Sequence, residues 1–390
     1  MISLYIIVFL IITISAIIAY IYPKYDKQLY YISFIALTAF LCLRFGQGTD
    51  WPGYMRIFNQ AEYALNPEYG FRYYHNLAHS EIGWKFLMVL FNLVKFPFWV
   101  VTSSIGLLSM LSIHLGIKSF NLKYKTMALV LLYPTIYLTY FFSGIRQGLV
   151  MSIFFGVLLK KLIEKKYAFY LIGVIILSTL HKVSLIYLIV PIVLLVKTKY
   201  FKLGFFMSLI ISILLFVEPI QILFKNIATL CGISVTYFDS AQLSIFSLGE
   251  RVLMLLIILV LWHQNIKNNT NIIKKAAPFM RIYFIGFIIY ICLCSNTLIS
   301  SRVAIMFKMS EVFLIPLLLE CEKNKISKMC FTIVFCVSTL MMYKNLEFYA
   351  GNDYEARMRG YNLPYISVFN QDEIWEYRER DLNNHGIFKE

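Results

Sequence analysis

Charge is scarce in this chain, and negative charge scarcer still: 15% of its 390 residues are charged, with 21 acidic against 36 basic side chains. So few charges cannot clothe a water-soluble domain of this length. Compact catalytic signatures are missing as well. The chain has no Asp-x-Asp pair, no glycine-rich phosphate loop ending in Lys-Ser or Lys-Thr, and no Gly-x-Ser-x-Gly elbow. Nucleotide-sugar chemistry, ATP hydrolysis and serine hydrolysis therefore lose support. Cysteines number seven, but none has the spacing of a metal site or a disulfide framework: Cys292 and Cys294 lie within an apolar run, and Cys321, Cys330 and Cys336 lie in or beside the last ones. His75 and His79, four apart, can share a helix face, yet no carboxylate completes a zinc motif, so no metal and no cofactor are expected. There is no obvious internal repeat or low-complexity tract.

What the chain has in abundance is apolar surface, at 59% hydrophobic residues and a mean hydropathy of +0.70. This composition reads as an all-α polytopic membrane protein. Apolar runs fall at 2–22, 28–45, 83–95, 98–117, 126–142, 146–163, 167–181, 183–197, 203–224, 250–264, 278–295, 300–319 and 327–343. The first lacks a basic flank and a small-residue cleavage site and is expected to be retained. The net charge of +15 resides mostly in short connections between runs, where lysine and arginine signal orientation rather than a nucleic-acid surface. Six connections are basic: Lys24 and Lys27; Lys118, Lys123 and Lys125; Lys160, Lys161, Lys165 and Lys166; Lys197, Lys199 and Lys202; Lys267, Lys274 and Lys275; and Lys323, Lys325 and Lys328. These are expected on the cytoplasmic side.

Parity then constrains run 83–95. Segment 46–82 is charge-balanced and 118–125 is basic, so an odd number of crossings separates them. Run 83–95, short and ended by Pro97, is expected not to cross. About twelve crossings remain, with both termini outside. Segments 46–97, 143–146, 181–182, 225–250, 296–302 and 344–390 then face outward. Residues 1–343 are expected to form one transmembrane domain that includes the extended loop 46–97 and its short helices. Residues 344–390, with Asp353, Glu355, Arg357 and Arg359, form an extracytoplasmic tail.

Arg44, Arg146, Lys182 beside His181, and Arg302 all fall at the outer ends of spans or in turns joining them, on the face that should be poor in cations. One reading is snorkelling to lipid phosphates or capping of helix carbonyls. The other is an anion site suited to a diphosphate, whose oxygens guanidinium groups pair bidentately. The loop opening Arg44-Phe45-Gly46-Gln47-Gly48-Thr49-Asp50-Trp51-Pro52-Gly53-Tyr54 leads into a helix-like stretch to Leu65. Thr49 or Asp50 caps that helix, or Asp50 serves as a base or an acceptor of sugar hydroxyls. Tyr63, Tyr69, Phe71, Tyr73 and Tyr74 suit an interfacial belt and also platforms for sugar rings. Glu81 is either a charge favouring the dipole of the following helix or a second functional carboxylate.

Taken in order, Arg44-x-Gly46 with Asp50 and Tyr54, Glu81-x-Gly83, Ser143-Gly144-Ile145-Arg146-Gln147, His181-x-x-Ser184, Arg302 and Pro364-Tyr365 resemble the EpsG and Wzy group of polysaccharide polymerases over nearly the whole chain. That resemblance implies a GT-C-like helical membrane fold in the bacterial cytoplasmic (inner) membrane. It also implies polymerisation of undecaprenyl-diphosphate-linked oligosaccharide units into O-antigen or related polysaccharide at the outer face, without nucleotide sugar or metal. Under it Arg146 and Arg302, assisted by Arg44 or Lys182, neutralise the departing diphosphate, and Asp50, Glu81 or His181 handles the acceptor hydroxyl. Tyr54, Gln147 and Tyr365 join the substrate-binding set. Membrane lipids, a chain-length regulator and a flippase are the partners it raises, with no nucleic acid. A lipid-linked oligosaccharide flippase and an O-antigen ligase are the rival readings of the same cations.

Overall fold

A computed structural model describes residues 4–196, 199–215, 222, 226, 244–294, 297–320, 324–350 and 364–384. Most of the expected outer loop 225–250 and the tail residues Asp353, Glu355, Arg357 and Arg359 lie outside the described residues. Regular structure among the described residues is helical, and the one extended pairing is an isolated antiparallel bridge between Arg44 and Ser367.

Five described helices are long and apolar enough to cross a membrane: Leu4–Ile21, Phe98–Ser119, Ile245–Ile266, Thr270–Cys292 and Lys325–Leu346. Their outward faces carry side chains such as Ile14, Leu115, Leu256 and Met329, an apolar exterior that only lipid can solvate at this density. The chain is a membrane protein. Several expected runs are shorter or broken, and polar or ring-bearing residues mark the breaks. Run 126–142 begins as an α-helix and widens into π-helical turns over Tyr133–Phe141, where Pro134 supplies no N–H. Run 300–319 breaks at Met309-Ser310, between Lys308 and Glu311.

The chain divides into two compact units, residues 1–185 with 335–390, and residues 186–334. In the first unit the helices are α1 (Leu4–Ile21), α2 (Asp26–Cys42), α3 (Trp51–Gln60), α4 (Glu62–Leu65), α5 (Gly70–Leu77), α6 (Ile82–Leu93), α7 (Phe98–Ser119), α8 (Lys125–Leu132), α9 (Ile145–Ile153), α10 (Leu159–Ile163) and α11 (Tyr167–Leu180). Helices α1, α2, α7, α8 and α9 pack as its bundle. Close approach is set by small residues: a methyl on Gly156 would collide with the Ser112 carbonyl of α7. Buried tyrosines tie the helices through backbone carbonyls, Tyr133 donating to Tyr5 O at 2.8 Å and Tyr137 to Leu37 O at 2.6 Å.

One end of this bundle joins two of the basic connections. Asp26 accepts from Thr126 Oγ1 at 2.9 Å and from the Lys125 and Thr126 N–H groups at 3.2 Å, giving α8 a buried carboxylate at its N-terminus. The 24–27 and 118–125 connections thus meet, as charge sorting requires. A cluster of α3–α6 covers another part of the unit with Trp51, Tyr54, Phe58, Trp84, Met88 and Phe98 at its core. Helix α6 has 12 residues, about 18 Å, well short of a bilayer core. It runs along α3: the Trp84 ring lies 5.4 Å from Tyr54, and Asn92 Nδ2 donates to Phe58 O at 3.2 Å. It is not among the described helices long and apolar enough to cross a membrane.

The second unit contains α12 (Val190–Leu195), α13 (Lys199–Leu214), α14 (Ile245–Asn268), α15 (Thr270–Cys292), α16 (Thr297–Lys308), α17 (Glu311–Leu318) and the start of α18 (Lys325–Ala350). Helix α15 packs against α12, α13, α14, α16 and α17. The described part of the tail, 364–384, includes α19 (Ile374–Asn384).

Candidate active site

Three segments that charge sorting placed on one face, 46–97, 143–146 and 181–182, come together in the first unit. The turn after the π-helical segment is pinned first. Thr49 Oγ1 lies 2.6 Å from Ser143 Oγ, which also accepts the Asp50 N–H at 3.3 Å. This approach requires glycine at 48: its φ is +99°, and a Cβ there would stand 2.5 Å from Phe142 O. The turn then enters α9, whose second residue is Arg146.

Arg146 is held between two carboxylate-bearing segments. Its Nη1 donates to the Glu81 carboxylate and to Ser80 Oγ, the latter at 2.9 Å. Its Nε lies 3.5 Å from the Tyr54 hydroxyl, and Tyr54 donates to Asp50 Oδ2 at 3.3 Å. The guanidinium also stands 5.3 Å from the Tyr54 ring centroid and 5.9 Å from that of Trp84, within cation–π range. Nη2 has no hydrogen bond among the described residues, and the side chain keeps 20% of its surface exposed. Among the described residues one edge of the fork is anchored and the other meets no partner.

Glu81 occupies the position before α6, but its side chain bonds no N–H of that helix. It turns instead to the α11 terminus, accepting the Lys182 N–H at 3.0 Å while His181 Nδ1 stands 3.5 Å away. Gly83 allows this seat, since a methyl there would collide with Thr179 Oγ1. Burial alone raises the Glu81 carboxyl, but neighbouring His181, the Arg146 guanidinium and the Lys182 N–H outweigh it and hold the group down at about 2. A carboxylate so acidic is a fixed anion rather than a base at neutral pH. The dipole reading of Glu81 is thus incomplete. The capping reading of Asp50 is corrected similarly: it precedes α3, yet its carboxylate bonds Tyr54 and Thr49 rather than a helix N–H.

Other expected site residues lie elsewhere. Arg44 is buried, donating to Leu41 O at 3.1 Å with its guanidinium 4.9 Å from the Phe142 ring centroid. Tyr365 stacks on Phe40 at 4.5 Å and donates to Phe40 O at 2.8 Å. Together with Gln47, which accepts from Tyr5 OH at 2.7 Å, they dock the tail: Phe45 N bonds Ile366 O and Val368 N bonds Leu43 O, both at 2.9 Å. Gln147 is buried in the first turns of α9, and Lys182 is exposed. Arg302, exposed on α16, belongs to the second unit. His75 receives the buried Lys85 ammonium on its carbonyl at 2.8 Å and on Nδ1 at 3.3 Å, so a cation already fills the place beside that imidazole.

Sequence reasoning missed Ser80, and it marked Thr49 only as a helix cap and Ser143 only as part of a motif, because serine and threonine are too common to stand out as site-building hydroxyls. It also missed an ionic group in the second unit. Lys308 pairs with Glu250 at 2.6 Å, both side chains buried, with Arg251 4.0 Å from the Tyr290 ring centroid and Glu311 buried beside Tyr283. Its signal was a lysine and a glutamate three apart within an apolar run.

A model of the EpsG family matches residues 27–367 of the chain. No curated protein and no solved structure matches it.

Proposed function

The chain belongs to the EpsG family, and from that membership we propose that it is a glycosyltransferase polymerising undecaprenyl-diphosphate-linked oligosaccharide units into O-antigen or a related surface polysaccharide. The work is done at the outer face of the bacterial cytoplasmic membrane, by a GT-C-like chain of about twelve crossings. The observation that carries this reading is the half-anchored Arg146. Ser80 and Glu81 fix one edge of its fork, and the other edge is left for an anion.

In the proposed reaction the bond from the growing chain's anomeric carbon to the diphosphate oxygen breaks. A new bond forms to a hydroxyl of the incoming unit, and undecaprenyl diphosphate departs with the electron pair. Arg146 stabilises the charge that develops on the leaving oxygen, assisted by Lys182. Glu81 positions Arg146 rather than taking a proton. Asp50, exposed and tied to Arg146 through Tyr54, or His181 accepts the hydroxyl proton.

The test is incubation of the purified full chain in lipid nanodiscs with synthetic diphosphate-linked repeat units. A ladder with release of polyprenyl diphosphate is expected. Removing one preorganised donor typically costs on the order of 3 kcal/mol of transition-state stabilisation, so Arg146→Ala should slow the ladder by about a hundredfold. Arg146→Lys keeps the charge, loses the fork and should remain impaired. Normal ladders from both variants would sink the assignment.

The buried Glu250–Lys308 pair favours a second reading, a flippase for the same lipid-linked units, because ionic groups among apolar helices often mark transport paths. That reading requires movement of intact lipid-linked units between leaflets without release of polyprenyl diphosphate.

A further inference from the structure

Beyond the Arg146 site, the outer-loop cluster of the first unit has a cleft of about 670 Å³ between the end of α3, α4 and the turn from α6 to α7. Its size suits a small ligand. Phe58 and Phe96 supply aromatic surface, Leu65, Leu93 and Pro97 add apolar wall, and four polar groups complete the lining: Glu62, Asn66, Asn92 and Lys95.

The two amides are already oriented. Asn66 Oδ1 accepts the Glu68 N–H at 2.9 Å, which assigns its Nδ2 as the remaining donor. Asn92 Nδ2 donates to Phe58 O at 3.2 Å, which assigns its Oδ1 as the remaining acceptor. Lys95 adds a donor and Glu62 an acceptor of opposite charge. A lone phosphate would meet a carboxylate as well as an ammonium, and an acyl chain would strand two amides and two charges. Donors and acceptors together beside ring faces match a sugar, whose hydroxyls both give and accept and whose C–H face packs on aromatics. A second observation comes from the adjoining stretch of sequence. Tyr63, adjacent in sequence to Glu62, forms an exposed group with Tyr69 and Tyr73, the ring centroids 4.9 to 5.4 Å apart.

We propose that this cleft, with the tyrosine group of the adjoining stretch of sequence, is an oligosaccharide subsite that holds sugar residues away from the diphosphate. The proposal rests on the reading of the chain as acting on lipid-linked oligosaccharides. The subsite recognises the saccharide alone, so its occupancy needs neither diphosphate nor Arg146.

The test uses the full chain in nanodiscs and, as probe, the lipid-free repeat-unit oligosaccharide released by mild acid from the source organism's own lipid-linked intermediate. Saturation-transfer NMR reads binding. Wild type should bind, and Arg146→Ala should bind equally while losing chain extension. Glu62→Ala combined with Phe96→Ala changes two cleft side chains outside the Arg146 site and should weaken binding by about tenfold or more, with an unchanged unfolding midpoint. Absence of binding to wild type, or wild-type binding by the double variant, would overturn the subsite. Binding intact in a wild-type chain that makes no polymer would sink the polymerase reading and leave the subsite standing.

Discussion

Replacing Glu81 with glutamine keeps its shape and removes the charge that anchors Arg146. The Glu81 carboxyl, ordinarily at 4.5, is held at about 2 in the folded chain. At ~1.4 kcal/mol for each tenfold change in the ionisation equilibrium, that difference corresponds to about 3 kcal/mol. Solvent reaches both partners, 20% of the Arg146 side chain and 23% of Glu81, and screens the pair. A loss of about 1–2 kcal/mol is therefore expected for Glu81→Gln at neutral pH. A carboxyl depressed on folding contributes stability that is complete above its unfolded value of 4.5 and disappears as pH falls towards about 2. Unfolding midpoints of wild type and variant in one detergent, measured from about pH 7 to about pH 3, should therefore converge on acidification. A gap that does not depend on pH, or no gap at neutral pH, would refute the reasoning. A double-mutant cycle with Arg146→Gln assigns the source, and coupling of about 1 kcal/mol is expected. Zero coupling would transfer the effect to the Lys182 N–H and His181.

Gly48→Ala forces a methyl to 2.5 Å from Phe142 O at a φ of +99° and should destabilise the chain by about 2–4 kcal/mol, read as a lowered unfolding midpoint. Gly83→Ala should push α6 off Thr179 and reduce polymer formation more than stability, because it moves Glu81 away from the Lys182 N–H. Equal losses of both would show a purely structural role. Lys308→Ala leaves Glu250 buried without its cation and should cost about 3–5 kcal/mol, whereas Lys308→Met with Glu250→Leu should lose far less. Equal losses for the single and the paired change would contradict the buried pair.

Much of the architecture was legible because hydrophobic length and loop charge are local properties. A run of apolar residues announces a helix in lipid wherever its partners lie, and lysines sort its ends. The meeting of Asp26 with Lys125 and Thr126, and the gathering of Gly48, Glu81, Ser143, Arg146 and Lys182, both agree with that sorting. Helix breaks were less legible. The π-helical widening at Pro134 and the interruption at Met309-Ser310 depend on which neighbours can absorb unpaired backbone groups.

Within the site, the sequence by itself determined which residues carry charge, and charge sorting grouped the segments that hold Arg146, Glu81, Asp50 and His181. It could not determine their pairing. Asp50 and Glu81 look alike as loop carboxylates before helices, but the glycine at 83 lets α6 close on α11, and that contact delivers Glu81 to Arg146. Arg44 and Tyr365 likewise look like ligands for a substrate, and packing turned both inward to dock the tail. The Glu250–Lys308 pair joins residues far apart in the chain, and no local pattern names a partner at that distance. Hydropathy is a sum over neighbours in sequence, so the chain alone decided that the fold is helical and rich in apolar, span-length helices. Partner choice among charges turns on ångström-scale approach between helices, which only the tertiary structure decided.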